Sequence, residues 1–232
     1  MNQYWKKLTP IYLLVCFVFL AIITGGSRVV SIIAESQPIT RHNLIIIDAG
    51  HGGEDGGATS CTGILESQIN LEMALRLEAV CHFLGFDTRM VRTTDISVYT
   101  EGNTLSAKKA SDLRNRVAMV NKVEHAILIS IHQNTFSDNR YSGAQVFYAA
   151  NDGSRELAAI LQKQLSTLDT ENRRQPKLAN NVYLMQHIQK TGVLIECGFI
   201  SNPMDEARLR SAAYQQKLCS AIAAGLCIYL GS

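Results

Sequence analysis

The chain has 232 residues, enough for one domain with a full core and too few for two comparable ones. Its 22 lysines and arginines against 20 acids leave a net charge of +2, which excludes the strongly basic balance of a dedicated nucleic-acid binder. The six cysteines are scattered without a C-x-x-C pair in a chain longer than disulfide-stapled miniproteins, so most of them read as small buried hydrophobes.

In chain order, Lys6 and Lys7 precede an unbroken apolar run from Ile11 to Ile23. The run reads as an export signal. A signal-peptide core spans about 7 to 15 apolar residues and a membrane-spanning helix about 20, and the uncharged stretch from Leu8 to Ser27 accommodates either. No A-x-A cleavage pattern precedes Glu35, which favours an uncleaved anchor, a hydrophobic helix over residues 1–30. Lysines on its N-terminal side then place the rest of the chain outside the cytoplasm, tied to the membrane through this segment. A polar stretch containing Pro38 reads as a linker over residues 31–42, and the folded unit is expected over residues 43–232.

Leu44 to Ile47 is a β-branched run without alternation, the pattern of a central parallel strand covered on both faces. Asn70 to Leu84 has helical spacing of apolar residues and ends at Gly85, a natural left-handed cap. A strand over Phe86–Val91, a helix over Ala107–Lys122, strands over Ala126–Ile131 and Ala144–Ala149, and a helix over Ser154–Leu168 follow. A short strand over Gly192–Glu196 comes next, then a helix opened by Ser201, Asn202 and Pro203 with Asp205 and Glu206 in its first turn. A final helix covers Tyr214–Leu230. The alternation predicts a single three-layer α/β domain, its mostly parallel twisted sheet flanked by helices on both faces.

Three of the apolar strands end on a metal ligand or an acid: LIIIDAGHGG on His51, ILISIHQN on His132 and VLIECGF on Glu196. Ligands in open α/β sheets bind beyond the carboxyl ends of the strands, so these side chains can converge although they are far apart in sequence. Glu66, one loop after His51, is either a third ligand or simply a first-turn acid favouring the helix dipole. Two histidines and one carboxylate with an open position for water make a catalytic zinc site, which His51, Glu66 and His132 satisfy. Glu196 is then left over, and a carboxylate beside metal-activated water is what a general base should be. The glycines around His51 match neither G-x-G-x-x-G nor G-x-x-x-x-G-K, and no G-x-S-x-G elbow occurs. Asn134 is placed to hydrogen-bond substrate, orient a ligand, or make a turn. Arg173 and Arg174 read either as contacts for peptide carboxylates or as solvated surface.

The segments IDAGHGGEDGGA, ILESQINLEMALRL, Asp112 to Val117, ILISIHQN and VLIECGFISNP together resemble the zinc-dependent N-acetylmuramoyl-L-alanine amidases, over essentially all of Asn43 to Leu230. The resemblance implies zinc on His51, Glu66 and His132, Glu196 as the catalytic glutamate, and hydrolysis of the amide joining muramic acid to L-alanine in peptidoglycan. EGNTLSAKKASDLRNRV, YSGAQVFYAA and NNVYLMQHI are similar to the spore-cortex branch, where the amidase acts before δ-lactam formation. Ala49 stands where the family commonly has proline, which is expected to loosen the turn carrying His51, and Thr135 stands where it commonly has alanine. Competing readings are a zinc peptidase, a sugar deacetylase and a catalytically silent wall-binding module, and an accessory protein for metal loading is left open.

Overall fold

The computed structural model describes residues 43–231. The expected anchor over residues 1–30 and the linker over residues 31–42 lie outside the described residues. Among the described residues, no helix is long and apolar enough to cross a membrane.

Six strands, β1 (Leu44–Ala49), β2 (Thr88–Met90), β3 (Ala126–Asn134), β4 (Gln145–Tyr148), β5 (Lys177–Leu178) and β6 (Thr191–Phe199), form one sheet in the order β2-β1-β3-β6-β4-β5. Six helices connect them: α1 (Glu66–Phe83), α2 (Leu105–Asn121), α3 (Ser154–Ser166), α4 (Tyr183–His187), α5 (Pro203–Leu209) and α6 (Ala212–Gly231). All strand pairs are parallel except β4 with β6, so the sheet is mixed and mostly parallel.

The local reasons follow from side-chain chemistry. β1 is an isoleucine run buried on both faces. Gly85, with φ 84°, ends α1 in the left-handed conformation that glycine adopts without penalty. Thr104 caps α2 by accepting from the Ala107 amide. Asn202 caps α5 by accepting from the amides of Met204 and Asp205, with Pro203 in the first turn.

Because successive strand residues face opposite ways, the core divides in two. Ile46, Leu128 and Leu194 pack with Val120 of α2 and Leu184 and Met185 of α4. Ile45, Ile47 and Ile129 point to the other face, where α1, α3 and α6 bring Met73, Leu77, Leu161 and Ile222 into full burial. Asp48, Ser130, His132 and Glu196 belong by the same alternation to the α2 face.

Three sequence expectations shift. β3 continues past Ile131 to Asn134 and β6 past Glu196 to Phe199, because the ladder between them runs on through polar residues, with an irregularity between His132 and Asn134. His132 and Glu196 therefore sit within paired strands rather than beyond their ends. β2 contracts to three residues, and β5 and α4 are elements of two and five residues with no periodicity to read.

Candidate active site

His132 and Glu196 are direct cross-strand partners, which puts their side chains side by side on one face of the sheet. His51 follows β1 by two residues and has φ 61°, the one positive-φ non-glycine among the described residues. That left-handed turn aims its ring back over the sheet. Glu66 opens α1 and is 4 % exposed.

The three predicted ligands meet. His51 Nε2 lies 3.3 Å from Glu66 Oε2, His132 Nδ1 lies 3.0 Å from Glu66 Oε1, and the two imidazoles meet edge to face with centroids 5.0 Å apart. One ligand atom from each lies within 4.8 Å of the others, close enough to hold a single metal ion. Two glycines make room for them. A Cβ on Gly50 would stand 2.2 Å from His132 Nε2, and one on Gly57 would stand 2.6 Å from Glu66 Oε2. No side chain fits at either position without displacing a ligand.

Other groups hold the three in place. Asp55 Oδ2 lies 2.9 Å from His51 Nδ1, leaving Nε2 for a metal, and Asp55 is braced in turn by Lys109 at 2.7 Å. Glu66 accepts from the amides of Ala58 and Gln133 and from Asn70. The turn that carries His51 is tied by two buried arginines. Arg92 donates to the carbonyls of Ala49, Gly50, Ser67 and Thr94. Arg116 donates to the carbonyls of Ala49 and His51, pairs with Asp112, and bonds to buried Asp48, which also accepts from Ser130. The carbonyl of Ala49 is thus held by both guanidiniums, so this turn is tied without a proline.

Burial disfavours the charged form of His51, but its hydrogen bonds to Asp55 and Glu66 outweigh that and lift its pKa to about 9. Burial likewise works against ionised Glu66, yet the hydrogen bonds and charges of both histidines hold it well below the carboxylate range. Glu196 differs: burial, aided by the charge of Glu66 and only partly countered by His132 and His51, pushes it up to about 7. Its Oε2 is buried with no hydrogen-bond partner among the described residues. Such an atom costs free energy unless something outside the chain satisfies it. A cavity of about 230 Å³ opens above the site, lined by His51, Asp55, Lys109, Arg116 and His132 and walled by Leu194.

Asn134 ends β3 opposite Phe199 and is half-buried, its side chain without a hydrogen bond among the described residues. Asp55, Arg92 and Asp48 were not anticipated. Asp48 carried the same signal as Glu196, an acid closing an apolar strand, and Asp55 follows His51 by one helical turn's spacing in a glycine loop. Arg92 had none, because its partners are main-chain carbonyls. Of the other described histidines, His82 bonds Thr88 and His187 stacks on Tyr183, both away from the site.

An α/β sheet that gathers two histidines and two glutamates at its strand ends is the framework of a hydrolase, and residues 45–227 match the N-acetylmuramoyl-L-alanine amidases, the family to which this chain belongs. Its activity is that family's, hydrolysis by an N-acetylmuramoyl-L-alanine amidase acting on peptidoglycan. It is 38 % identical over 188 residues to the germination-specific N-acetylmuramoyl-L-alanine amidase of Bacillus subtilis (strain 168), an alignment covering 80 % of this chain and 79 % of that one. The CwlD amidase of Clostridioides difficile, solved in complex with the GerS lipoprotein, superposes with a TM-score of 0.77 at 36 % identity over 81 % of this chain and 98 % of that one. A second amidase structure, from Clostridium difficile 630, gives a TM-score of 0.72 at 29 % identity over 83 % and 99 %.

Proposed function

We propose that this amidase is an exported zinc enzyme of spore-cortex maturation, with His51, Glu66 and His132 as metal ligands and Glu196 as general base. The observation that carries the reading is the orphaned Oε2 of Glu196 beside three converging ligand atoms. Two nitrogens and one carboxylate oxygen are a donor set suited to catalytic zinc, with a side left open. Bound zinc supplies Lewis acidity, polarising the scissile carbonyl and making water easier to deprotonate. Asp55 keeps the His51 proton on Nδ1 and so presents Nε2 as a lone pair.

Glu196 takes a proton from the attacking water as oxygen bonds to the carbonyl carbon. It then delivers that proton to the L-alanine nitrogen as the carbon–nitrogen bond breaks, leaving a free lactyl carboxyl and an amino-terminal alanine. A pKa of about 7 suits both halves of this transfer, since the group must accept and then release near neutrality. Asn134 is assigned a substrate hydrogen bond, from a half-buried side chain that makes none among the described residues.

The germination-specific relative supports the cortex role, and the lipoprotein bound to CwlD supports an accessory lipoprotein here. The lysines and apolar run at residues 6–23 support export, with residues 1–30 as anchor, 31–42 as linker and 43–232 as catalytic domain. The test is mass spectrometry of purified peptidoglycan digested by the full chain in detergent. New amino-terminal alanine and intact muramic lactyl carboxyl are expected, abolished by a chelator and restored by zinc. Release of acetate, cleavage inside the peptide, or undiminished turnover in rigorously metal-free protein would each overturn the reading.

A further inference from the structure

A half-buried guanidinium closes the far end of the row that contains the two catalytic strands. Gln145 of β4 is the cross-strand partner of Glu196, so the two side chains leave the same face of the sheet about 5 Å apart. Gln145 Oε1 accepts from Arg174 Nη1 at 3.3 Å, and the Ser142 carbonyl accepts from Arg174 Nε at 2.9 Å. The guanidinium lies over Phe199, its Cζ 4.6 Å from the ring centroid, and 5.9 Å from that of Tyr141. Phe199 is the register partner of Asn134, two residues past His132.

Arg174 differs from the arginines that pair with acids, and Arg76, which also bonds a neutral acceptor, does so on Gln215 between α1 and α6 and not beside Glu196. Arg114, Arg116, Arg140, Arg208 and Arg210 each pair with an acid. Arg92 has no acid, yet its three nitrogens reach four carbonyls. Every side-chain bond of Arg174 goes to a neutral acceptor, it forms no ion pair among the described residues, and its Nη2 has no acceptor there. A partly desolvated cation without a counter-charge is costly unless a ligand brings one. Two neutral acceptors and two aromatic faces nevertheless hold its plane in one orientation, which lowers the entropic cost of capturing a planar anion.

We propose that Arg174 is a specificity residue that binds a carboxylate on the peptide half of the substrate. This rests on the reading of Glu196 as the place where the amide is cut. The chemistry of the substrate says which half the anion is on. The lactyl carboxyl of muramic acid is consumed in the scissile amide, so the N-acetylmuramoyl half is neutral. A peptide joined through its N-terminal alanine keeps a free carboxyl terminus. The neighbouring rings of Phe136 and Tyr141, 52 % and 47 % exposed and 4.8 Å apart edge to face, give that peptide apolar cover.

The test compares two soluble substrates, an N-acetylmuramoyl-L-alanyl peptide with free carboxylates and the same molecule with every carboxylate amidated. The zinc-loaded full chain is expected to prefer the first by roughly ten- to hundredfold in kcat/KM, the range of a charge-assisted hydrogen bond, with the difference mainly in KM. Arg174→Met keeps the aliphatic stem over Phe199 and should erase the preference, treating both substrates as the wild type treats the amidated one. Arg174→Lys keeps charge without the fork and should restore part of it, which keeps the test sound if the methionine variant folds poorly. Equal losses on both substrates, an undiminished preference in Arg174→Met, or a change only in discrimination by glycan length would each overturn the proposal. Direct binding of the free-carboxylate peptide to zinc-loaded protein reads the subsite apart from turnover. Affinity lowered roughly ten- to hundredfold in Arg174→Met supports it even where the reading of Glu196 fails, and equal affinity overturns it.

Discussion

Arg116 and Arg174 stand at the two ends of the site across the sheet, Arg116 on Asp48 of β1 and Arg174 on Gln145 of β4, the register partner of Glu196. Arg116, 2 % exposed, directs its donors to Asp48, Asp112 and the carbonyls of Ala49 and His51. Arg174, half-buried, rests on Gln145, the Ser142 carbonyl and two aromatic faces. The first end is over-determined, as a site must be when ligand positions matter to within about 0.5 Å. The second is left under-satisfied, where a ligand rather than the protein completes the bonding.

The largest expected effect lies between the two ends. Glu196→Gln keeps size and hydrogen bonding but cannot accept a proton at neutral pH, so kcat should fall about 10²- to 10⁴-fold with zinc content unchanged. His51→Ala or His132→Ala should instead lose zinc and activity together, read by metal analysis of the purified proteins. Zinc that collapses in Glu196→Gln and survives in Glu66→Gln would reverse the roles of the two glutamates.

The arginines themselves should separate next, in stability rather than rate. Arg116→Leu strands buried Asp48, whose carboxyl is otherwise held below its usual range because Arg116 and Ser130 offset the effect of burial. Removing one partner of a buried ion pair costs about 3 to 5 kcal/mol. Arg174→Met breaks bonds to neutral groups at a half-exposed position and should cost less than about 1 kcal/mol. Denaturant unfolding of the two variants measures the difference, and matching midpoints would erase the contrast drawn between the two ends.

The same contrast explains what was legible in the sequence. β1, β3 and β6 were legible because runs such as Leu44 to Ile47 have no polar face to expose. His51, His132 and Glu196 were legible because they interrupt those runs at the end where sheets bind ligands. Glu66 was ambiguous, since an acid opening a helix has a local reason to be there. The clamps were not legible. Arg92 and Arg116 act on carbonyls of Ala49, Gly50 and His51, and any residue presents a carbonyl. The antiparallel direction of β4 was hidden for a different reason: side chains alternate between the two faces in a strand running either way, so the pattern carries no direction.

The smallest expected effect concerns how the over-determined end competes with protons for the metal. In the metal-free protein His51 has its pKa raised to about 9, because Asp55 and Glu66 favour the imidazolium more than burial disfavours it. Zinc at Nε2 requires the neutral ring, so loading displaces one proton from His51 below that pH. Glu66 stays ionised throughout, and Glu196 has lost its proton above about 7. Between about pH 7 and 9, then, one proton should be displaced per zinc, and zinc affinity should rise about tenfold per pH unit before flattening. The stability of the metal-free fold should move the other way. A histidine whose pKa is raised on folding contributes stability fully below its unfolded value of about 6.5, and loses it as pH rises through about 9. Zinc-loaded protein, its imidazole neutral at every pH, should lack that His51 contribution. Chelator competition and thermal melts across pH 6 to 9.5 read both trends. In Asp55→Ala the steep region should end at lower pH, since the first of the two bonds favouring the imidazolium is gone. An affinity flat from pH 7 to 9 in the wild type would mean that Asp55 positions the ring without charging it.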